Sequence, residues 1–395
     1  MNYILFDDQS RNNLLPLTFL RPIADIRIGI LTIREKWEKM LNTKTSTLTE
    51  TYLSAKFPIV KDNNNILING SVCPNKELVK EIQSLKPNYA LVTEETIVAL
   101  HLKAEDLDES GEVDISGIDE IETQTKFLKI NDTWDIFSKN GEALQADFEL
   151  ITQKRKSQKI SATNRVVDEH NIFIEKGAKV EFSILNASTG PIYIGKDAEI
   201  MENAVIRGPF AMCEHAVVKM AAKIYGPTTL GPYCKVGGEV NNTVFFGYSN
   251  KAHDGFIGNS VIAEWCNLGA DTNNSNLKNS YDEVKLWSYT QKTFVGTGLQ
   301  FCGMIMGDHS KTGINTMFNT GTVIGVNVNI FGAGFHRNFI PSFSWGSTSG
   351  FKIYDIKKAI KVAEAMFARR GIDFDNIERE LLMNVYEQTA ENRNL

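Results

Sequence analysis

The sequence predicts an α/β domain with a mostly parallel sheet, then a parallel β-helix of six-residue repeats, then a helical C-terminal segment. Three observations carry this reading. Of the 29 glycines in 395 residues, five fall in residues 1–165, 23 in 166–350 and one in 351–395. Through the glycine-rich stretch, apolar residues recur every six positions. Before it, apolar residues form short runs alternating with helix-spaced stripes; after it, only the helical spacing of three and four remains. The corresponding domains are 1–155, 166–350 and 351–395.

In the first region, Tyr3-Ile4-Leu5-Phe6 runs into the polar Asp7-Asp8-Gln9-Ser10, the pattern of a buried strand entering a loop. Ile26, Ile30, Ile33, Trp37 and Leu41 follow helical spacing. Ile66-Leu67-Ile68 predicts a second strand, stopped by Asn69-Gly70, and Glu77 to Leu85 predicts a helix ended by Pro87. Tyr89-Ala90-Leu91-Val92 predicts a third strand. Strands alternating with helices favour a mostly parallel sheet covered by helices. Gln153 to Arg165 is polar and basic and reads as a solvated linker.

In the middle region, Ile194, Ile200, Ile206, Met212, Val218, Ile224, Leu230 and Val236 are eight apolar residues in one phase. Ala198, Ala204, Ala216 and Ala222 follow four positions after members of that series. The phase breaks near residue 240 and resumes with Phe256, Ile262 and Leu268, then with Met306, Thr312, Phe318, Ile324 and Ile330. A period of six is neither strand nor helix; it is the repeat of a β-helix, whose coils bury that position against the coils above and below. In the last region, Ile356, Ala359, Ile360, Ala363 and Phe367 form a helical stripe stopped near Gly371, and Ile377, Leu381, Leu382 and Val385 form another. These helices are expected to cover the open end of the solenoid.

Composition narrows the function classes. The net charge of −6 argues against a phosphate-backbone nucleic-acid binder. No apolar run is long enough to span a membrane, and Met1 to Gln9 lacks a signal-peptide pattern. Five cysteines without a CxxC pair read as reduced thiols of a cytoplasmic protein. The six histidines make no local zinc signature, which removes a zinc-dependent carbonic anhydrase on the same architecture.

Several segments resemble the bifunctional N-acetylglucosamine-1-phosphate uridyltransferase/glucosamine-1-phosphate acetyltransferase family. They are Glu239-Val240-Asn241-Asn242, Ser249-Asn250-Lys251-Ala252-His253, Asn267-Leu268-Gly269-Ala270-Asp271-Thr272 and Asn276. The resemblance implies a left-handed β-helix and acetyl transfer from acetyl-CoA to an amino-sugar phosphate. His253 would be the catalytic base, since an imidazole can take the proton an attacking amine loses. Glu239 would hold its other ring nitrogen. Lys223, Asn241, Asn267, Asn276 and Lys278 would contact the acceptor, with Lys223 standing where the family has arginine and Asn241 where it has lysine. Phe256 replaces a family tyrosine. The Ala270 N–H would polarise the thioester carbonyl, and Thr297 would lie near the thiol. The family's trimeric assembly, with sites between subunits, is expected here too.

The segment Arg11-Asn12-Asn13-Leu14-Leu15-Pro16-Leu17-Thr18-Phe19-Leu20-Arg21-Pro22 resembles, in divergent form, the GTRLRPLTxxRPK signature of sugar-phosphate nucleotidyltransferases. The first domain is therefore expected to be nucleotidyltransferase-like. If it is active with UTP and Mg²⁺, Arg11, Arg21 and Asn69 would bind nucleotide, and Asp135, in a Trp-Asp pair, would ligate the metal. The loop after the first strand holds no glycine, and Asn69-Gly70-Ser71 lacks the family's metal-binding aspartate. Two alternatives stand beside acetyl transfer: nucleotidyl transfer alone, and a non-catalytic hexapeptide scaffold.

Overall fold

A computed structural model of the chain describes residues 1–103 and 117–393. It forms two compact units. One comprises residues 1–14, 20–26 and 31–131; the other comprises 15–19, 27–30 and the chain from Asp132 on. Among the described residues, no helix is long and apolar enough to cross a membrane.

The first unit holds a six-stranded sheet in the order Ser46–Leu48, Asn2–Phe6, Asn64–Asn69, Thr96–Lys103, Tyr89–Thr93, Asp119–Glu122. Three of the five pairings are parallel. The strand Thr96–Lys103 runs antiparallel to both neighbours, because a tight turn folds it back on Tyr89–Thr93. One face packs Ile4, Leu67, Ala90, Leu100 and Leu102 into a core. The stripe expected to be one helix from Ile26 to Leu41 is helical only over Ile33–Leu41. Thr32 and Glu35 close a capping box that fixes this start: the Glu35 amide donates to Thr32 Oγ1 (3.1 Å) and the Thr32 amide to Glu35 Oε2 (2.7 Å). Ile26 and Ile30 are buried all the same, so their spacing reported burial rather than helix. The helix Lys76–Ser84 starts where Asn75 caps the Leu78 amide (2.9 Å).

The second unit is built on a parallel β-helix. Every member of the series Ile194 to Val236 is buried, as are Ala198, Ala204, Ala216 and Ala222, and together they form one continuous core. Equivalent strands of successive coils pair in parallel register, for example Ile194 with Met212 and Met212 with Leu230. The break near residue 240 has a local cause. Glu239–Phe245 and Phe256–Ile262 are seven-residue strands paired along their length, each kinked at an asparagine of positive φ, Asn242 and Asn259. The inward positions become Val240, Phe245, Ile257 and Ile262, so Phe256, expected in the core, turns half outward. The helix Asn140–Thr152 also belongs to this unit. Buried Asn140 donates to the Pro227 carbonyl (3.0 Å) and to Thr229 Oγ1 (3.1 Å).

At the solenoid's end a strand, rather than the expected helices, takes the edge of the sheet. The strand Gly350–Ile353 pairs antiparallel with Ser344–Ser347 and occupies the outer edge of the sheet. Helix Ile356–Ala368 instead lies along the flank, on a column of corner aromatics stacked as His215, Tyr233, Tyr248, Trp265. Phe367 stacks on Trp265 with ring centroids 4.1 Å apart, and Arg370 lies 5.9 Å over Tyr233. Corner side chains in the left-handed region point outward in register, which gives the helix a ready aromatic ladder.

Candidate active site

His253 occupies the corner between strands Asn250–Lys251 and Phe256–Ile262, where the chain passes from one face of the solenoid to the next. Its side chain is exposed. Two further corners stack on it. The Asp271 amide donates to the Asp254 carbonyl (3.0 Å), which docks the Ala270 corner on one side. Among the described residues, the Ala270 N–H has no acceptor. On the other side lies Gly238, with φ +72°; a Cβ there would sit 2.8 Å from the Gly255 oxygen and 3.0 Å from the His253 oxygen. Only glycine permits that approach.

The structure adds a residue that sequence reasoning passed over. Lys251 occupies the inward hexapeptide position, six after Phe245 and six before Ile257, and is 1% exposed. Its ammonium donates to the carbonyls of Gly237 (3.2 Å), His253 (2.7 Å) and Asp254 (3.1 Å). Burial pushes its pKa down to about 8, with Asp254 and Asp271 pulling weakly the other way. It thus ties the His253 corner to the corner before it. A lysine on a six-residue apolar phase was the available signal, but it emerges only when the phase is counted from Phe245.

The face after the corner carries Lys223, Glu239 and Phe256 in one register column. Glu239 accepts the Tyr225 hydroxyl (2.7 Å), and its Oε2 is 3.5 Å from Lys223 Nζ. The expected hydrogen bond from the His253 ring to Glu239 is not formed; the carboxylate engages Tyr225 and Lys223 instead. Asn241 lies on the same face, in register with Tyr225 and Gly258. Asn267 lies on the face before the corner, exposed and in register with Asn250 and Lys311. His253, Ala270, Lys223, Glu239 and Asn267 thus flank one corner column. Asn276 is tied to Asn259 (2.8 Å). Thr297 sits at the base of a hairpin formed by Lys285–Ser288 and Thr293–Gly296, where its hydroxyl is engaged by the Val284 carbonyl (2.8 Å) and the Leu299 amide (3.1 Å). Lys278 grips the Glu283 carbonyl (2.5 Å) beside that hairpin.

A second cavity, of about 1050 Å³, opens in the first unit beside Phe6 and Asn69, the carboxyl ends of two parallel strands. Asn69 lines it and donates to Asp8 Oδ2 (3.0 Å) and the Ile97 carbonyl (3.1 Å). The other lining charges are mostly acidic: Asp7, Asp8, Glu94, Glu95 and Glu122 against Lys129, which is itself 3.1 Å from Asp8. Burial works against the Asp8 charge, yet Asn69, Ser10 and Lys129 hold its pKa below the usual carboxylate value. The loop carboxylates engage neighbouring amides: Ser10 N–H donates to Asp8 (3.0 Å) and Ile23 N–H to Asp7 (2.8 Å). Arg11 and Arg21, expected at nucleotide, are buried outside the cavity lining. Arg11 pairs with Asp7 (3.0 Å) and donates to Tyr52 (3.0 Å). Asp135, expected to ligate Mg²⁺, belongs to the other unit, where it pairs with Lys139 (3.0 Å) and accepts the Asp132 amide (3.2 Å). Held by a lysine, that carboxylate does not fit a magnesium ligand. Among the described residues, no group of three or more His, Cys, Asp or Glu side chains is placed to hold a metal ion.

An α/β head joined to a β-helix whose corner presents a histidine defines the class of architecture. Comparison with known proteins refines it. Residues 3–156 match the family model of sugar nucleotidyl transferases. The chain is 28% identical over 206 residues to the Bifunctional protein GlmU of Methanocaldococcus jannaschii, covering 52% of this chain and 45% of that protein. It is 29% identical over 144 residues to the Bifunctional sugar-1-phosphate nucleotidylyltransferase/acetyltransferase of Sulfurisphaera tokodaii, covering 36% and 35% of the two chains. It is 28% identical over 149 residues to the Uncharacterized acetyltransferase YaiX of Escherichia coli O6:K15:H31, covering 37% of this chain and 64% of that one. The chain spans less than half the length of the bifunctional relatives it matches. It resembles the bifunctional nucleotidyl- and acetyltransferases.

Proposed function

We propose that the chain is an acetyl-CoA-dependent N-acetyltransferase acting on an amino-sugar phosphate, with glucosamine-1-phosphate the first candidate. The observation that carries this is the corner column: an exposed imidazole at His253, on the corner that the Ala270 corner docks against, with Glu239 one coil away and Lys223 two coils away. The amine nitrogen attacks the thioester carbon while His253 accepts its proton. The Ala270 N–H stabilises the oxyanion, and collapse expels the CoA thiolate, which recovers the proton from the imidazolium. Lys223 supplies charge to the acceptor phosphate, and Asn241, Asn267 and Asn276 border the acceptor. Glu239 orients the ring once acceptor phosphate draws Lys223 away. The protein works as a cytoplasmic homotrimer.

The first domain is the candidate seat of sugar-1-phosphate nucleotidyl transfer, a reading supported by its match to the sugar nucleotidyl transferase model. Thiol release from acetyl-CoA, measured with a panel of amino-sugar phosphates, tests the main reading. Release that depends on one acceptor supports it; none with any acceptor overturns it. Pyrophosphate release from UTP with sugar-1-phosphates tests the first domain: release above background supports nucleotidyl transfer there, and background with every sugar overturns it.

A further inference from the structure

The hairpin at residues 285–296 walls a cleft of about 500 Å³, within the size range of small-ligand sites. Its lining combines three cations, Lys278, Lys285 and Arg337, with three aromatic rings, Trp287, Phe294 and Phe339. No carboxylate lines it. Among the described residues, none of the three cations forms an ion pair. Cations gathered without a counter-charge repel one another, and a bound anion relieves that repulsion. Trp287 stacks on Phe339 (centroids 4.4 Å) and meets the edge of Phe294 (5.4 Å), which makes one aromatic wall. Among the described residues, the buried indole N–H of Trp287 has no acceptor; a ligand oxygen or nitrogen would satisfy it.

A flat aromatic group bearing phosphate matches this chemistry: the base against the rings, the phosphates on Lys285 and Arg337. We infer that the cleft is a nucleoside-phosphate site and that it seats the adenosine-phosphate end of the acyl-CoA donor. The choice of CoA over a free nucleotide rests on the acetyl-transfer reading; the nucleoside-phosphate chemistry does not. The coil that carries the Ala270 corner continues to Lys278, which lines the cleft.

Calorimetric titration of the full chain tests this without needing turnover. The ligands are CoA, dephospho-CoA, pantetheine and UDP; the proteins are wild type and Lys285→Glu/Arg337→Glu, two exposed positions whose melting temperature checks folding. CoA is expected to bind wild type and to lose about 100-fold in the double variant, at roughly tenfold per charge-assisted contact removed. Dephospho-CoA should bind more weakly than CoA, and pantetheine should not distinguish the two proteins. UDP binding that the variant abolishes, without CoA binding, would keep the nucleoside-phosphate site and overturn CoA as its occupant. CoA and UDP affinities unchanged by the double variant, or no binding of either, would overturn the site. Thiol release is read separately, so loss of the acetyl-transfer reading does not decide this one.

Discussion

Replacing Lys251 by Met removes an ammonium from the interior of a β-helix. Its pKa falls from an ordinary 10.5 to about 8, a shift equivalent to ~3 kcal/mol at 1.36 kcal/mol per unit. That is the burial penalty carried at neutral pH, and methionine abolishes it. Against this stands the loss of donors. The Asp254 carbonyl keeps the Asp271 amide, whereas the His253 and Gly237 carbonyls lose their lysine bonds, at about 1–3 kcal/mol each. The losses offset or exceed the relief, so Lys251→Met is expected to lie between about 1 kcal/mol more stable and about 3 kcal/mol less stable than wild type at pH 7. The pH dependence separates them. The folded pKa lies below the unfolded one, so between about 8 and 10.5 the unfolded chain holds a proton the native one has released, and native stability rises with pH. Urea unfolding of the β-helix should therefore show wild type gaining up to ~3 kcal/mol over the variant across that window. Thiol release should fall at every pH, because the corner presenting His253 loses its tether. A stability difference that stays flat from pH 7 to 10, or full activity in the variant, would refute the argument.

Gly238→Ala should lower thiol release at least tenfold and reduce the melting temperature, since its Cβ meets backbone of the His253 corner. Gly298→Ala, at a similar φ of +69° with nothing within 4 Å, should carry the backbone strain yet leave the corner in place; equal losses in both would show that the corner contact is irrelevant. His336 is buried with neither ring nitrogen partnered, and burial holds its pKa below the ordinary 6.5. The unfolded chain thus binds the proton first, and stability falls as pH drops below about 6.5; His336→Phe should flatten the melting temperature between pH 6.5 and 5, and an unchanged slope would assign acid sensitivity elsewhere. Phe367→Ala should cost ~3 kcal/mol at the flank contact with Trp265, seen as faster hydrogen exchange over Ile356–Ala368; unchanged exchange would mean the stack does not anchor the helix.

The β-helix was legible because its core obeys a single phase, and a six-residue repeat has few structural meanings. The phase failed where two kinked strands replaced a corner, and Lys251 fell in that gap. Its meaning lies in which carbonyls it reaches, which no spacing encodes. The stripe from Ile26 to Leu41 misled because buried loop residues can share helical spacing. The resemblance points to His253 and Ala270, whose exposure and adjacent corners follow from repeat register. It did less well for Glu239, Arg11 and Asp135, whose charges are occupied by Tyr225 and Lys223, Asp7, and Lys139. Side-chain pairing depends on partners brought together by the fold. The placing of helix Ile356–Ala368 along the flank follows from Trp265 and Tyr233, far upstream in the chain.

The central claim is that the imidazole of His253 is the base for acetyl transfer. Its most direct test is thiol release from acetyl-CoA by His253→Ala, with the best acceptor of the panel and with melting temperature as the folding control. The exposed position predicts an unchanged melting temperature and activity reduced by a factor of about 100 or more. A variant that folds and still acetylates at the wild-type rate would contradict the account.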